Sequence, residues 1–177
     1  TRVSVDTAGM QGNGSSSNCS ISGDGRFVAF TSGASNLVSG DTNSFSDVFV
    51  HERVSGITIR ASVGTSSAQA NGSSTGSTAI STNGRHIAFA SSASNLVLGD
   101  SNGIGDVFVF DTLAGFTERA SVGTTFQQLD APSGEPSISG DGRYVAFAHP
   151  LDAPLQVQVF VRDRLGTYFR DADADTY

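Results

Sequence analysis

Ser22-Gly-Asp-Gly-Arg-Phe-Val-Ala-Phe30 decides the fold of this 177-residue chain, because it joins a turn signal to an apolar strand and then recurs. It returns as Ser81-Thr-Asn-Gly-Arg85 and Ser139-Gly-Asp-Gly-Arg143, at offsets of 59 and 58 residues, each followed by an apolar run. Asp-Gly and Asn-Gly are strong signals of two-residue hairpins, in which both turn residues take a positive φ. The stretch therefore predicts a type I′ hairpin in every copy.

Other segments recur at the same interval and in the same order. Asp47–Val50 returns as Asp106–Val109, Arg60–Thr65 as Arg119–Thr124, and Ser35–Val38 as Ser94–Val97. A fixed period of this length is typical of a repeat architecture. The chain therefore contains three copies of one unit of about 58 residues.

Each copy has room for four short strands. In the first copy the first strand ends at residues 20–22, and the other three strands span residues 26–31, 47–52 and 58–63. The second strand is apolar on both faces, which indicates burial between two neighbouring sheets. Four strands per repeat with an apolar middle and a more polar outer strand are typical of β-propeller blades. A flat stack of sheets, as in a solenoid, is the alternative.

The same residues resemble the repeat of the TolB-type (WD-like) β-propeller family. Its blades run Ser-Pro-Asp-Gly, an apolar strand, an Ile/Val-Tyr/Phe-Val strand and an Asp-x-x-Thr-Gly turn. This chain departs where that family often has proline, at Gly23, Thr82 and Gly140. The resemblance implies an all-β fold of three four-stranded antiparallel blades over residues 1–167, with repeats at about 1–57, 58–116 and 117–167. It implies no single function, because such propellers serve in binding, scaffolding and peptidase gating.

Three blades do not close a ring, since propellers have about 4–8. Thr1–Val5 matches the fourth strand of the repeat, whereas the last copy has no good fourth strand after Val161–Gly166. We expect that Thr1–Val5, or a second chain, completes the last blade. The chain is then either a partial ring within a longer propeller or one half of a homo-oligomer with six blades.

Two copies carry a loop of oxygen-bearing side chains before the third strand. The candidate calcium ligands are Asp41, Asn43 and Asp47 in the first copy and Asp100, Asn102 and Asp106 in the second. Three such side chains on a tight loop suit Ca²⁺, which takes six to eight oxygen ligands. The alternative is that Asp, Asn and Gly simply form the turn.

The end of the chain breaks from the repeat. Residues 168–177 are rich in aspartate, and Asp171, Asp173 and Asp175 resemble the opening of a bacterial thrombospondin type 3-like calcium repeat. This resemblance implies further calcium ligands in a truncated neighbouring module. A disordered acidic tail is the alternative interpretation.

Composition excludes several classes of partner. The formal net charge is −7 and all ten basic residues are arginine, so there is no basic surface for nucleic acid. No apolar run reaches the ~20 residues of a membrane span.

Cys19 is expected to be a small packed side chain, and Arg26 is expected to pair with Asp24 across its turn. The match of Gly72–Gly76 to the Gly-x-Ser-x-Gly pattern lacks the strand–turn–helix context of a hydrolase nucleophile.

These observations favour a non-enzymatic binding or scaffold module. We expect it to belong to a secreted or cell-surface bacterial protein, in an extracellular, surface or periplasmic setting, and to bind a protein or carbohydrate at one mouth of the ring. One alternative is the propeller portion of a larger hydrolase, such as a prolyl-oligopeptidase-type enzyme. Another is a structural spacer that calcium stiffens.

Overall fold

Eleven short strands form three antiparallel sheets in the computed structural model, which describes residues 1–123, 125–151 and 156–166. Blade 1 contains β1 (Ser16–Ile21), β2 (Phe27–Ser32), β3 (Asp47–Glu52) and β4 (Thr58–Arg60), in that spatial order. Blade 2 contains β5 (Ser74–Ile80), β6 (His86–Ser91), β7 (Asp106–Asp111) and β8 (Phe116–Arg119). Blade 3 contains β9 (Gly134–Ile138), β10 (Tyr144–Leu151) and β11 (Gln156–Asp163). The predicted all-β propeller architecture is confirmed, and within the described residues the third blade has three strands.

The hairpin between β1 and β2 is not of type I′, so that prediction is wrong. Gly25 has a φ of +70° and its amide donates to the carbonyl of Ser22, whereas Asp24 keeps a negative φ. The carboxylate of Asp24 accepts hydrogen bonds from the Ser22 hydroxyl and the Arg26 amide. These local bonds hold the aspartate in a four-residue turn that needs only one glycine of positive φ. The same bonds recur at Ser81, Asn83 and Arg85 and at Ser139, Asp141 and Arg143.

Two of the three core clusters join neighbouring blades, and the third lies within blade 1, where Val28, Phe30 and Phe49 pack together. Val48 and Val50 of β3 share a cluster with Ile87 and Phe89 of blade 2, and all four are at most 2% exposed. The pattern repeats one blade on, where Val107 and Val109 share a cluster with Val145 and Phe147. The second strand is therefore buried on both faces, as its sequence predicts. Within the described residues no helix is long and apolar enough to cross a membrane.

Backbone hydrogen bonds join the hairpin turns of successive blades. The amide of Gly23 donates to the carbonyl of Thr82 at 3.0 Å, and the amide of Thr82 donates to the carbonyl of Gly140 at 2.8 Å. These are positions at which the TolB-type repeat often has proline. Proline has no N–H to donate. The departure from the family pattern thus supplies the donors that tie neighbouring turns together.

The N-terminal segment lies against blade 1. Val5 forms an antiparallel bridge with Gln11, and its carbonyl accepts a hydrogen bond from the Thr58 hydroxyl at 2.6 Å. The repeat reproduces both features, since Val63 bridges Gln69 and accepts from Thr117. The prediction that Thr1–Val5 completes the last blade is therefore wrong. This segment takes the place that the exit of a preceding blade takes elsewhere in the fold.

Two glycine substitutions separate turn strain from packing between blades. Gly25 and Gly84 have φ values of +70° and +74°, so an alanine costs each turn about 1–2 kcal/mol. A Cβ on Gly84 would also lie 2.2 Å from the ring of Phe27 in blade 1, whereas the nearest atom at Gly25 is 3.7 Å away. We expect Gly84→Ala to lower the free energy of unfolding by about 1–3 kcal/mol more than Gly25→Ala, measured by urea titration. Equal losses would show that the contact between Phe27 and the Gly84 turn contributes nothing.

Candidate functional site

The loop before β3 is built around an arginine. Nη1 of Arg60 lies 3.2 Å from a carboxylate oxygen of Asp41 and 3.0 Å from one of Asp47. Asn43 also donates to Asp47, at 3.3 Å, and the hydroxyl of Ser62 donates to the other Asp47 oxygen at 2.5 Å. The structure therefore brings the three predicted ligands together, with a guanidinium between the two carboxylates.

Burial sets the electrostatics of this loop. The side chains of Arg60 and Asp41 are 8% and 4% exposed, and that of Asp47 is fully buried. Burial raises the pKa of Asp41, and the charge of Asp47 acts in the same direction, while the Arg60 guanidinium opposes both. Two carboxylates in this setting need a compensating cation, and Arg60 is that cation.

The second copy repeats the arrangement less tightly. Nη1 of Arg119 lies 3.1 Å from Asp106 and 3.5 Å from Asp100, and the Ser121 hydroxyl donates to Asp106. Asn102 donates to the carbonyl of Leu129, not to an aspartate. One carboxylate oxygen of Asp100 is buried and has no hydrogen-bond partner among the residues that the structure describes, and burial raises the pKa of this group.

Calcium binding by these loops stays a prediction. Their carboxylates already contact a guanidinium, which a metal ion would have to displace. Among residues 1–123, 125–151 and 156–166, no group of three His, Cys, Asp or Glu side chains lies close enough to hold a metal ion. Asp171, Asp173 and Asp175 lie outside the described residues.

The arginine that opens each second strand pairs across the sheet. Arg26 contacts Glu52 at 2.8 Å, so the expected pairing with Asp24 is wrong. The antiparallel register explains the difference, because Phe27 is paired with Glu52 at the end of β3. The equivalent ion pairs are Arg85 with Asp111 and Arg143 with Asp163. This repeated charge pair closes the same end of every blade.

Two of these acids have strongly lowered pKa values. The hydrogen bond from Arg26, followed by that from Ser55, lowers the pKa of Glu52 to about 2. Burial acts to raise the pKa of Asp111, but hydrogen bonds from Arg85 and from two backbone amides outweigh it and lower the value to about 2. Both groups therefore stay ionised in the folded protein well into the acid range.

Blade 3 contains a Ser–His contact that sequence reasoning missed. The hydroxyl of Ser133 lies 3.1 Å from Nδ1 of His149, whose Nε2 is 3.8 Å from a carboxylate oxygen of Asp130. Ser133 and His149 are only 5% and 3% exposed, so the hydroxyl has little access to a substrate. In the other blades two serines make the equivalent contact, Ser16 with Ser32 and Ser74 with Ser91. The histidine therefore fills a structural position of the repeat.

The innermost strands expose a polar row. Asn18, Gly76 and Glu135 occupy equivalent positions in β1, β5 and β9, each with a positive φ at a break in strand register. The hydroxyl of Thr78 donates to the carbonyl of Asn18, and that of Ser77 to Glu135. These contacts join the row from blade to blade. We call residues 16–20, 74–78 and 134–137 the inner row.

Two sequence expectations fall on the inner row. Cys19 is exposed within β1, so the expectation of a packed side chain is wrong. Ser74, the central serine of Gly72–Gly76, lies fully buried in β5 with its hydroxyl bonded to Ser91. That serine has no accessible nucleophilic oxygen.

Comparison with known proteins supports the fold alone. No family model matches the chain, and no curated protein matches it. Among solved structures it is similar to a TolB from Agrobacterium tumefaciens, with a TM-score of 0.53 and 16% identity over 87% of this chain and 47% of that one. It is also similar to the β-propeller domain of the Trilobed protease from Pyrococcus furiosus, with a TM-score of 0.56 and 12% identity over 89% and 41%. The AtxE2 isopeptidase gives a TM-score of 0.54 and 11% identity over 88% and 28%. The chain therefore has a TolB-like propeller fold and spans less than half the length of each of these proteins.

A calcium melt tests the loops directly. We expect the melting temperature of the wild-type protein to be the same, within a degree or so, in millimolar calcium and in chelator, because Arg60 and Arg119 already compensate the carboxylates. A rise of several degrees with calcium would contradict this and establish a metal site.

Arg60→Met should lower the free energy of unfolding by about 3–5 kcal/mol, since it leaves two buried carboxylates without a cation. Arg26→Met is the matched control, because its guanidinium is half exposed and its loss should cost about 1 kcal/mol or less.

The acid pairs predict how stability depends on pH. The folded-state pKa values of Glu52 and Asp111 lie near 2, below their ordinary values of 4.5 and 3.8. The stability that Glu52 and Asp111 add to the folded state is therefore fully present above about pH 5 and is lost as the pH falls toward 2. The pKa values of Asp41 and Asp100 are raised in the folded state, so these two groups make the folded protein less stable as the pH rises. We expect Asp111→Asn to be less stable than wild type at pH 6 and to lose less stability between pH 5 and pH 2, measured by urea unfolding. If the free energy of unfolding falls equally with pH in the wild type and in Asp111→Asn, the lowered pKa of Asp111 does not account for the pH dependence.

Proposed function

We propose that this chain is a non-catalytic binding module of a secreted or cell-surface bacterial protein, with the inner row as its ligand surface. The observation that carries the proposal is that the inner strand of each of the three blades exposes part of this row. Ser17, Thr75 and Glu135 are exposed on consecutive inner strands, next to backbone that the register breaks leave irregular. Hydroxyl, amide and carboxylate groups on such a surface suit a ligand that offers many hydrogen bonds, either a carbohydrate or a protein segment.

The charged residues of the blades support a scaffold role for the rest of the structure. Arg26, Arg85 and Arg143 each pair with an acid of their own blade. Arg60 and Arg119 are engaged by the loop aspartates. An acid whose pKa is shifted by an ion pair that recurs in every blade has a structural role more readily than a catalytic one.

The proposed location is argued from composition and from the likeness in fold. The acidic composition and the absence of lysine suit a protein that does not bind nucleic acid. The likeness in fold to a bacterial TolB supports a bacterial envelope or secreted setting by analogy only. Calcium stabilisation of the loops before β3 and β7 is the alternative to compensation by Arg60 and Arg119, and the calcium melt decides between the two.

The second candidate function is the propeller part of a larger hydrolase. The likeness in fold to the Trilobed protease propeller and to the AtxE2 isopeptidase favours it, with TM-scores of 0.56 and 0.54. In that case the chemistry would lie on another domain, and the propeller would control which substrates reach it. The inner row would then face a substrate passing along the ring axis.

An array experiment tests the binding proposal. We expect the labelled 177-residue chain to bind members of a glycan or peptide array, and Ser17→Arg and Thr75→Arg to weaken that binding at least tenfold by filling the inner row. Leu113→Arg is the matched control, because Leu113 is 78% exposed in the β7–β8 turn at the outer side of blade 2. Equal binding by the inner-row variants and wild type would contradict the proposed surface. Turnover of ester or peptide substrates by the chain alone, abolished by Ser133→Ala, would contradict the non-catalytic role.

A further inference from the structure

We propose that the junction between blades 2 and 3 is an acid-sensitive contact, which opens when the side chain of His86 takes up a second proton. The ring of His86 rests on the β9–β10 turn of blade 3, where a Cβ on Gly142 would lie 2.1 Å from Nδ1. The side chain is 12% exposed, so little water reaches it. Histidine changes its charge close to physiological pH, and at a packed junction that change acts on the contact itself.

The same place in the preceding junction carries an apolar ring. Phe27 of blade 1 rests on the turn of blade 2, and a Cβ on Gly84 would lie 2.2 Å from that ring. The two aromatic residues occupy the same register of their sheets, because Phe27 pairs with Glu52 and His86 pairs with Asp111. Phenylalanine has no titratable group. Only the junction between blades 2 and 3 can therefore respond to pH through this position.

Charged residues also replace neutral ones around His86. Arg164 of blade 3 forms an ion pair with Glu118 of blade 2 and donates to the carbonyl of Gly142. In the preceding junction the repeat has Thr112 in place of the arginine and Ile59 in place of the glutamate. One backbone arrangement is thus held by neutral side chains at one junction and by charged and titratable ones at the next.

The two ring nitrogens of His86 have different surroundings. Nε2 lies 3.5 Å from a carboxylate oxygen of Asp111, so we place the proton of the neutral ring there. Nδ1 is buried, and within the described part of the chain it has no hydrogen-bond partner. The carbonyl of Gly142 accepts from Arg164, and its amide donates to the carbonyl of Ser139. A second proton on Nδ1 would therefore be a buried donor without an acceptor, which destabilises the closed contact.

The charges around the ring oppose its protonation. Burial lowers the pKa of His86 below its ordinary value of 6.5, and the guanidinium groups of Arg164 and Arg85 act in the same direction. The carboxylates of Asp111 and Glu118 act in the opposite direction. Each of these two acids already pairs with an arginine, which reduces what it can offer to a protonated histidine.

The hairpin turn itself brings two further charges near the ring. Asp141 accepts hydrogen bonds from the Ser139 hydroxyl and from the amide of Arg143. The guanidinium of Arg143 pairs with Asp163 of its own blade. Among the residues that the structure describes, Asp111 is the only carboxylate close enough to form an ion pair with His86. The turn of blade 3 thus presents no acid to a protonated ring.

The direction of the pKa shift fixes the pH range in which the junction opens. Because the pKa of His86 is lower in the closed contact than in the open one, the open form binds more protons below pH 6.5. The closed contact is therefore at full strength above pH 6.5 and weakens as the pH falls toward the lowered value. The hairpin joins β9 to β10, so its release also moves the inner strand of blade 3.

Amide exchange in the 177-residue chain tests the proposal, because each junction has its own backbone reporter. The amide of Thr82 donates to Gly140 across the junction of blades 2 and 3, and that of Gly23 donates to Thr82 across the preceding one. We expect the protection factor of the Thr82 amide, measured by NMR and corrected for the intrinsic rate, to fall about fivefold or more between pH 7 and pH 5. That of the Gly23 amide should stay constant within about twofold.

Histidine variants identify the sensing group. His86→Phe gives blade 2 the residue that blade 1 has at this position, and His86→Tyr gives it the residue of blade 3. Either variant should make the protection of the Thr82 amide independent of pH. His51→Phe is the matched control, because the blade 2 residue at that position is also a phenylalanine. Nδ1 of His51 lies 2.9 Å from the hydroxyl of Thr58 inside blade 1, so this variant should keep the wild-type pH dependence.

Three results would overturn the proposal. The first is equal protection of the Thr82 amide at pH 7 and pH 5 in the wild-type chain. The second is a pH dependence that persists in both His86→Phe and His86→Tyr, because another group would then be the sensor. The third is an equal fall in protection at Gly23, which would show that acid loosens the whole chain and not one junction.

Discussion

The fold depends on the packing of one blade's third-strand valines against the second strand of the next. A four-stranded sheet of this size cannot bury both apolar faces of its middle strands by itself, so one face has to pack on a neighbour. Val48 and Val50 reach full burial only because Ile87 and Phe89 lie opposite them. Each blade is therefore stabilised through its neighbours, as in other repeat proteins.

The buried charges follow the same constraint. Once neighbouring blades exclude water from the loops before β3 and β7, the aspartates there need a cation or a proton. Arg60 and Arg119 supply the cation from the outer strand of the same blade. Ion pairs of this kind add little net stability over an apolar core, but they penalise any register that separates the partners. The arginine thus helps to fix how β4 pairs with β3.

How far the sequence predicts the structure depends on the range of each interaction. Repeat length, blade type and the bounds of β3 were predictable, because they follow from local periodicity. The fourth strand ends at Arg60 and not at residue 63, because the amides of Ala61 and Ser62 both donate to Val48. The oxygen-rich loop was predictable as a cluster, but its cation was not, because Arg60 reaches Asp47 through the strand pairing and not through sequence proximity.

We expect a binding site at positions where one blade differs in sequence from the other two and the side chain is exposed. His149 departs from the serines of the other blades, but it is buried, and its change is one of packing inside blade 3. Glu135 departs from Asn18 and Gly76 at an exposed position of the inner row, and it holds an unusual positive φ for a residue of its type. Backbone strain of this kind persists only where the surrounding structure enforces it, and it is often found at binding sites. The inner strand of blade 3 is therefore where one blade gains a charge that the repeat does not provide, and where a ligand would distinguish this blade from the other two.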